Sequence, residues 1–290
     1  MFSDEFDYHR PDTVEEALSV LGERPGAEVL AGGHSLIPAM KTGLASPETL
    51  VDIGRIESLR GIEHREGAAF LGALTSYADV HDDDTLWERA TVVSEAAGEI
   101  GDVQVRNRGT IGGNVAHADP ASDLPGAVLA ADATLVVVGP EGEREVSADE
   151  FFLGLYMTDV GEEELLTGLR VPYHGDGAAS AYVKRPSPSS GYAMVGVAVV
   201  LQTDGAVIES ARVAANGVMG SAVRLTPTEE ALAGVSVDDD EALAGASEVA
   251  ADDLDRAMIM DDVHASNEFR EHLLRFYTGQ AISAAIERIE

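Results

Sequence analysis

Two glycine pairs, Gly32-Gly33 and Gly112-Gly113, constrain this chain more than any other feature of its 290 residues. The first lies in Ala31-Gly32-Gly33-His34-Ser35-Leu36-Ile37-Pro38-Ala39-Met40-Lys41, between a short apolar run, Ala27 to Leu30, and a helix signal from about Leu36. Glycine lets backbone N–H groups approach an anion closely, and a helix start adds the positive end of its dipole. Ser35 suits a helix cap, and Pro38 falls in the first turn, where its missing N–H is harmless. Taken alone, a strand-to-helix turn can use glycine for steric reasons only. The second pair lies in Gly109-Thr110-Ile111-Gly112-Gly113-Asn114, in a segment with no obvious strand or helix. Arg106 and Arg108 stand just upstream, a local positive spot. Two such loops suit two phosphates of one ligand, each loop coming from a different subdomain. Neither loop is a GxxxxGK[ST] P-loop or a G-x-G-x-x-G turn after a strand, and Gly175-Asp176-Gly177 is a near miss in a polar loop.

The order of elements around these loops predicts an α+β chain. A helix from about Thr13 to Leu21, capped by Asp12 or Thr13, precedes the first loop, and a strand near Leu50 to Ile53 follows it. That order gives a small parallel or mixed α/β unit. From about Gly61 to Pro172 short strands appear at Ala69–Ala73, Thr134–Val138 and Leu166–Val171, with helices over Tyr77–His81 and Thr91–Ile100. After the polar loop His174-Gly175-Asp176-Gly177, the runs Ala179–Lys184, Ala193–Gln202 and Ala206–Ala215 predict an antiparallel sheet, with an Asp-Gly hairpin signal at Asp204-Gly205. An amphipathic helix from about His264 to Ile289 closes the chain. Three units result, 1–58, 59–176 and 177–290, with no internal repeat and no low-complexity linker.

Composition narrows the function. Acidic residues number 52 against 19 basic ones, a formal net charge of −33. Nucleic acids and anionic membranes both need a basic footprint, so neither is an expected partner. The acids are spread along the chain, as at Asp82-Asp83-Asp84, Glu162-Glu163-Glu164 and Asp238-Asp239-Asp240, and only Lys41 and Lys184 are lysine. Such a surface repels itself in dilute salt, whereas in molar salt, with a Debye length of about 3 Å, the repulsion is screened. The chain therefore reads as adapted to a salt-saturated cytoplasm, with an ordinary acidic mesophilic protein as the alternative. Without cysteine it has no thiolates for a disulfide or an iron–sulfur cluster, so redox chemistry would need an organic cofactor or another subunit. The start MFSDEFDYHR carries no signal-peptide pattern, and the longest apolar run, Ala193 to Leu201, is too short to span a bilayer. A soluble cytoplasmic protein is expected.

Other constellations carry less. His117-x-Asp119-x3-Asp123 has ligating side chains, but the loop also holds Pro120, and a metal site there is disfavoured. His64, His81, His174, His264 and His272 read as solvated or capping residues, and lone Trp87 as packing on a helix face. No Ser-His-Asp or paired-carboxylate arrangement follows from the spacing, so hydrolase chemistry has no support.

Together, AGGHSLIPAMK and TIGGN, about seventy residues apart, resemble the FAD-binding medium subunit of the molybdenum hydroxylases, of the aerobic carbon monoxide dehydrogenase and xanthine dehydrogenase type. The resemblance runs through FDYHRPDTVEEAL, LGALTSYADV, ADPASDLP and LRVPY. It implies two N-terminal α/β subdomains of the vanillyl-alcohol-oxidase-type FAD-binding fold, followed by a C-terminal antiparallel sheet with helices. It also implies that Ala31, Gly32, Gly33, His34, Ser35 and Leu36 cradle the FAD pyrophosphate, with Thr110, Ile111, Gly112, Gly113 and Asn114 on the other side. Asp123 would lie near the ribityl and phosphate part, Ile100, Leu166 and Lys184 at further flavin contacts, and Tyr192 near the isoalloxazine ring. In this resemblance FAD is non-covalent and His34 makes a hydrogen bond rather than a flavin linkage. Molybdopterin belongs to a large partner subunit and two [2Fe-2S] clusters to a small one, assembled as a dimer of heterotrimers. Electrons would leave by the FAD to a quinone or NAD, and no residue of this chain need act as acid or base on the organic substrate. A stand-alone FAD-dependent oxidoreductase and a non-catalytic nucleotide-binding or assembly subunit are the alternative readings.

Overall fold

The computed structural model describes residues 3–289, and its three larger sheets follow one another along the chain. The first unit comprises β1 (Asp7–His9), α1 (Val14–Glu23), β2 (Glu28–Leu30), α2 (Leu36–Thr42) and β3 (Thr49–Asp52), with the parallel strand order β1-β3-β2. Thr13 caps α1 by accepting the Glu16 N–H, which leaves Ala17 and Leu21 to face the sheet. Ala17, Leu21, Val51, Ile53 and Ile56 form the local core.

The second unit opens with the hairpin β4 (Ile62–Arg65) and β5 (Ala68–Gly72). Six helices follow: α3 (Tyr77–His81), α4 (Asp84–Arg89), α5 (Thr91–Gly98), α6 (Val103–Arg106), α7 (Ile111–His117) and α8 (Asp123–Ala130). Then come β6 (Thr134–Gly139), β7 (Gly142–Ser147), α9 (Ala148–Phe151), the short pair β8 (Phe152–Gly154) and β9 (Met157–Thr158), and β10 (Leu165–Pro172). The sheet order β4-β5-β10-β6-β7 is antiparallel throughout and carries the helices on one core.

The second glycine loop is helical, contrary to the expectation of irregular structure. Two glycines in the first turn give α7 poor intrinsic propensity. Tertiary contacts override it: Thr110 accepts the Gly113 N–H as N-cap, and the Gly112 N–H reaches the Ala73 carbonyl at 2.9 Å. Helix α8 was hidden from the sequence by Pro125 and Gly126, and every one of its residues is buried. Pro125 sits in the first turn, where no intrahelical N–H is lost.

The third unit comprises β11 (Ala178–Pro186), β12 (Ala193–Asp204), β13 (Val207–Asn216) and β14 (Val223–Arg224), followed by α10 (Thr226–Leu232), α11 (Asp240–Glu248) and α12 (Asn267–Ile286). The Asp204-Gly205 hairpin joins β12 to β13, with Gly205 at φ +60°. Helix α8 packs on one face of β12 and α12 on the other, which explains the unbroken apolar run of this strand. Arg270 of α12 is buried and donates to the carbonyls of Met194 and Gly217, tying helix to sheet. Among the described residues no helix is long and apolar enough to cross a membrane.

Candidate functional site

The two glycine loops meet face to face. A Cβ on Gly32 would lie 2.9 Å from the Gly109 Cα and still closer to the Arg108 carbonyl oxygen, so the loops touch backbone to backbone. Gly33 adopts φ +76°, a left-handed conformation that turns the chain from β2 into α2. Gly113 lies between Thr110 and Ala31, the point where the loops approach from the other side. A polar cleft opens beside them, lined by Ala31, Gly32, Gly33 and Thr110 together with Arg10, Arg60 and Arg108.

Hydrogen bonding shows what this cleft offers. The N–H groups of Gly32, Gly33, His34, Ser35 and Leu36 donate to no carbonyl or side chain among the described residues, although most of this stretch is half-buried. Buried or half-buried amides seek partners, and five consecutive free donors at a helix start form an anion cradle. His34 Nδ1 donates to the Gly32 carbonyl at 3.0 Å, as the sequence reading expected of a loop histidine. Ser35 occupies the N-cap position of α2 but makes no capping bond, contrary to expectation. Its hydroxyl instead lies beside the Tyr192 phenol.

Three guanidinium groups reinforce the cradle. Arg10 pairs with Asp52 at 3.4 Å and Arg60 donates to the Gly54 carbonyl at 2.6 Å, while Arg108 is exposed at the lip. Asp52 also lines the cleft and Glu57 lies 3.7 Å from Arg60, so these carboxylates offset part of the charge, yet three arginines on one cleft stand out in a chain of net charge −33. Of these only Arg108 drew attention in the sequence, because Arg10, Arg60 and Arg108 lie far apart along the chain. The usable signal was the rarity of cations: a cluster of them in space implies an anion.

On the second unit, Asn114 links Tyr77 to Ser122. Its amide donates to the Tyr77 hydroxyl at 3.0 Å, and its carbonyl accepts from Ser122 Oγ at 2.8 Å. Burial pushes the Tyr77 phenol well up, so it stays neutral. Ile111 and Gly112 face inward: Ile111 is fully buried, and a Cβ on Gly112 would lie 2.7 Å from the Ala73 Cα. Ile100 is buried at the end of α5, and Leu166 is buried in β10 opposite Val137.

Asp123 and Lys184 form a buried ion pair at 3.0 Å, with side chains 5% and 2% exposed. Tyr182 donates its hydroxyl to the other Asp123 oxygen at 2.5 Å. Burial pushes the Asp123 carboxyl up, opposed by the adjoining ammonium and phenol. Tyr192 projects beside this pair from the loop joining β11 to β12, 42% exposed. Burial of the phenol together with Asp119 and Asp123 raises its pKa, and the Ser35 hydroxyl opposes the rise. Tyr192 thus draws together all three units. The His117 ring packs on Tyr156, Asp119 accepts the Ala121 N–H and the Tyr156 hydroxyl, and Asp123 pairs with Lys184; among the described residues no group of three or more such side chains could hold a metal.

Two family models cover nearly the whole chain. Residues 4–174 match the FAD binding domain in molybdopterin dehydrogenase, and residues 180–285 match the CO dehydrogenase flavoprotein C-terminal domain. The chain belongs to this family of FAD-binding subunits. It is similar to the carbon monoxide dehydrogenase medium chain of Hydrogenophaga pseudoflava, 42% identical over 225 residues that cover 77% of this chain and 78% of that one. The glyceraldehyde dehydrogenase medium chain of Sulfolobus acidocaldarius is 36% identical over 240 residues, covering 83% and 85%. In three dimensions the chain superposes with a TM-score of 0.94 on a carbon monoxide dehydrogenase structure from Hydrogenophaga pseudoflava that lacks the Mo-pyranopterin moiety, at 38% identity and complete coverage of both chains. The family is thus an oxidoreductase one, its cofactor on this chain is FAD, and the free amides and arginines of the cleft suit the cofactor's anionic pyrophosphate.

Proposed function

We propose that FAD binds non-covalently between the units 1–58 and 59–176, with its pyrophosphate on the free amides of Gly32 to Leu36. The observation that carries this placement is the run of five unpartnered donors beside Arg10, Arg60 and Arg108. Ala31 belongs to the same cradle, and Thr110 to Asn114, the cap and first residues of α7, close the opposite side. Tyr192 stands at the isoalloxazine end. Asp123, Lys184, Ile100 and Leu166 form the supporting floor, and no residue serves as an acid or base toward the organic substrate. Bound here, FAD supplies one- and two-electron redox chemistry suited to connect iron–sulfur clusters of a small partner subunit with a quinone or NAD. The chain's own residues bind, orient and keep water from the cofactor.

Molybdopterin would reside in a large partner subunit, and the assembly would be a dimer of heterotrimers in the cytoplasm of an organism with a salt-rich interior. Relatives named for carbon monoxide and for glyceraldehyde share this chain type, which supports a substrate site on another subunit. Purification in molar salt, followed by acid precipitation and identification of the released cofactor, tests the core of this reading. One FAD per chain is expected, released without proteolysis and accompanied by molybdopterin and iron–sulfur subunits. A chain that takes up no flavin in excess FAD would overturn it, and a lone, active flavoenzyme would favour a stand-alone oxidoreductase.

A further inference from the structure

The turn between β8 and β9 holds Tyr156 at φ +53°, a left-handed conformation that a bulky side chain rarely adopts. A residue persists in such a conformation only where its surroundings hold it, and such positions cluster at functional sites. Two contacts hold this ring. It packs on the His117 ring of α7 with centroids 5.1 Å apart, and its hydroxyl donates to Asp119 Oδ2 at 3.3 Å. Asp119 also lies beside the Tyr192 phenol, so both phenols share one carboxylate neighbour. The turn from Asp119 to Ala121 gathers further segments. The Pro120 carbonyl accepts the Gly217 N–H at 2.6 Å, and the Ala121 carbonyl accepts the Ala193 N–H at 3.0 Å. Leu155 Cβ stands 3.8 Å from a Cβ placed on Gly220. The three segments meeting here, 151–158, 186–194 and 213–223, hold no charged residue, although 24% of the chain is charged. Leu155, Tyr156 and Met157 are each more than half exposed. An uncharged aromatic and aliphatic surface therefore lies open beside Tyr192, with Asp119 as the charge at its edge.

We infer that this surface is a binding site for an uncharged, planar electron acceptor of the quinone class, seated against Leu155, Tyr156 and His117. The inference rests on the reading that puts the isoalloxazine at Tyr192, and it narrows the acceptor from the pair quinone or NAD. A quinone ring stacks on aromatic faces, and its carbonyl oxygens can accept from the exposed His117 imidazole. NAD brings an anionic pyrophosphate, which Asp119 repels and for which the three segments offer no arginine or lysine. The quinone gains two electrons and two protons to become the hydroquinone. Both come from FADH2 returning to FAD, so no further oxidant or reductant enters.

The test uses the full chain loaded with FAD in molar potassium chloride, as wild type and as Tyr156→Gly. Glycine removes the ring and suits the left-handed backbone, so folding is retained. Duroquinone and NAD+ are the probes. The readouts are the Kd of each probe from quenching of flavin fluorescence, the FAD affinity and visible spectrum, melting curves, and anaerobic re-oxidation of the photoreduced chain. Wild type is expected to bind duroquinone and to be re-oxidised by it faster than by NAD+. In Tyr156→Gly the duroquinone Kd should rise roughly tenfold while FAD affinity and the visible spectrum stay as in wild type. An unchanged Kd would overturn the inference, as would faster re-oxidation of wild type by NAD+. Should the glycine variant not fold, Tyr156→Asn also accepts a left-handed backbone and carries the same expectation. Loss of duroquinone binding in the complete complex, with residues 153–157 newly protected from hydrogen exchange, would mean that a partner subunit covers the hairpin, and the inference would fail. A wild-type chain that takes up no FAD would overturn this inference and the site reading together; every other outcome leaves FAD bound.

Discussion

Gly112 and Gly113 are neighbours with different constraints. A Cβ on Gly112 would meet the backbone of Ala73, its Cα at 2.7 Å and its carbonyl at 2.8 Å, and backbone cannot yield cheaply. Gly112→Ala must push α7 away from β5, a cost of about 1–3 kcal/mol that thermal unfolding would register as a lowered Tm. A Cβ on Gly113 meets the Thr110 side chain at 2.7 Å and Ala31 Cβ at 3.4 Å, both beside the cleft. Gly113→Val should therefore fold, with a loss of about 1 kcal/mol from the disturbed cap. It should nonetheless be purified without FAD, because its side chain enters the space between the two loops. Normal flavin content in Gly113→Val would refute the assignment of this loop.

At the scale of elements, α7 depends on Thr110. With two glycines in its first turn the helix gains little from propensity, so the cap matters more than usual. Thr110→Ala should cost about 1 kcal/mol of stability in denaturant unfolding, and Thr110→Ser should retain most of it. The connection from β10 to β11 carries a second testable feature. His174, expected to be solvated or capping, is half-buried: its N–H donates to the Arg89 carbonyl at 2.7 Å, and its Nε2 lies 2.7 Å from Ser180 Oγ. Ser180 Oγ already accepts the Val92 N–H, so its own proton is free to donate to a neutral imidazole. Burial lowers the His174 pKa from the ordinary 6.5 to about 4. The unfolded chain then binds the proton more readily, so stability is full above about pH 6.5 and falls as pH drops towards 4. The loss approaches roughly 3 kcal/mol at the acid end. His174→Gln should flatten this part of the stability–pH curve, and a variant as acid-sensitive as wild type would refute the assignment.

The molecule as a whole carries 52 acidic and 19 basic residues, and its ion pairs engage only a minority of the acids. Self-repulsion should therefore dominate in dilute buffer and be screened in molar potassium chloride. Tm is expected to rise between the two, and FAD retention with it; a melting temperature independent of salt would refute the halophilic reading. Much of the architecture was legible along the chain. The strand–glycine–helix order of the first unit and the Asp204-Gly205 hairpin of the third follow from local conformational preference and periodicity. Both glycine loops were visible for the same reason, since a turn that needs glycine needs it whatever surrounds it. Helices α7 and α8 were not legible, because glycine and proline speak against them locally. They are helical because Gly112 fits against Ala73 and Gly126 against Asn216, contacts made only after the sheets have formed. The cleft arginines and the Lys184–Asp123 pair, 61 residues apart in the chain, belong to the same class. By itself the sequence determined where the backbone needs glycine beside the cleft, at Gly32-Gly33 and at Gly112-Gly113. Tertiary structure alone decided which charges face that cleft and which are consumed in holding it, because a charge acts on whatever packs next to it, and packing is long-range.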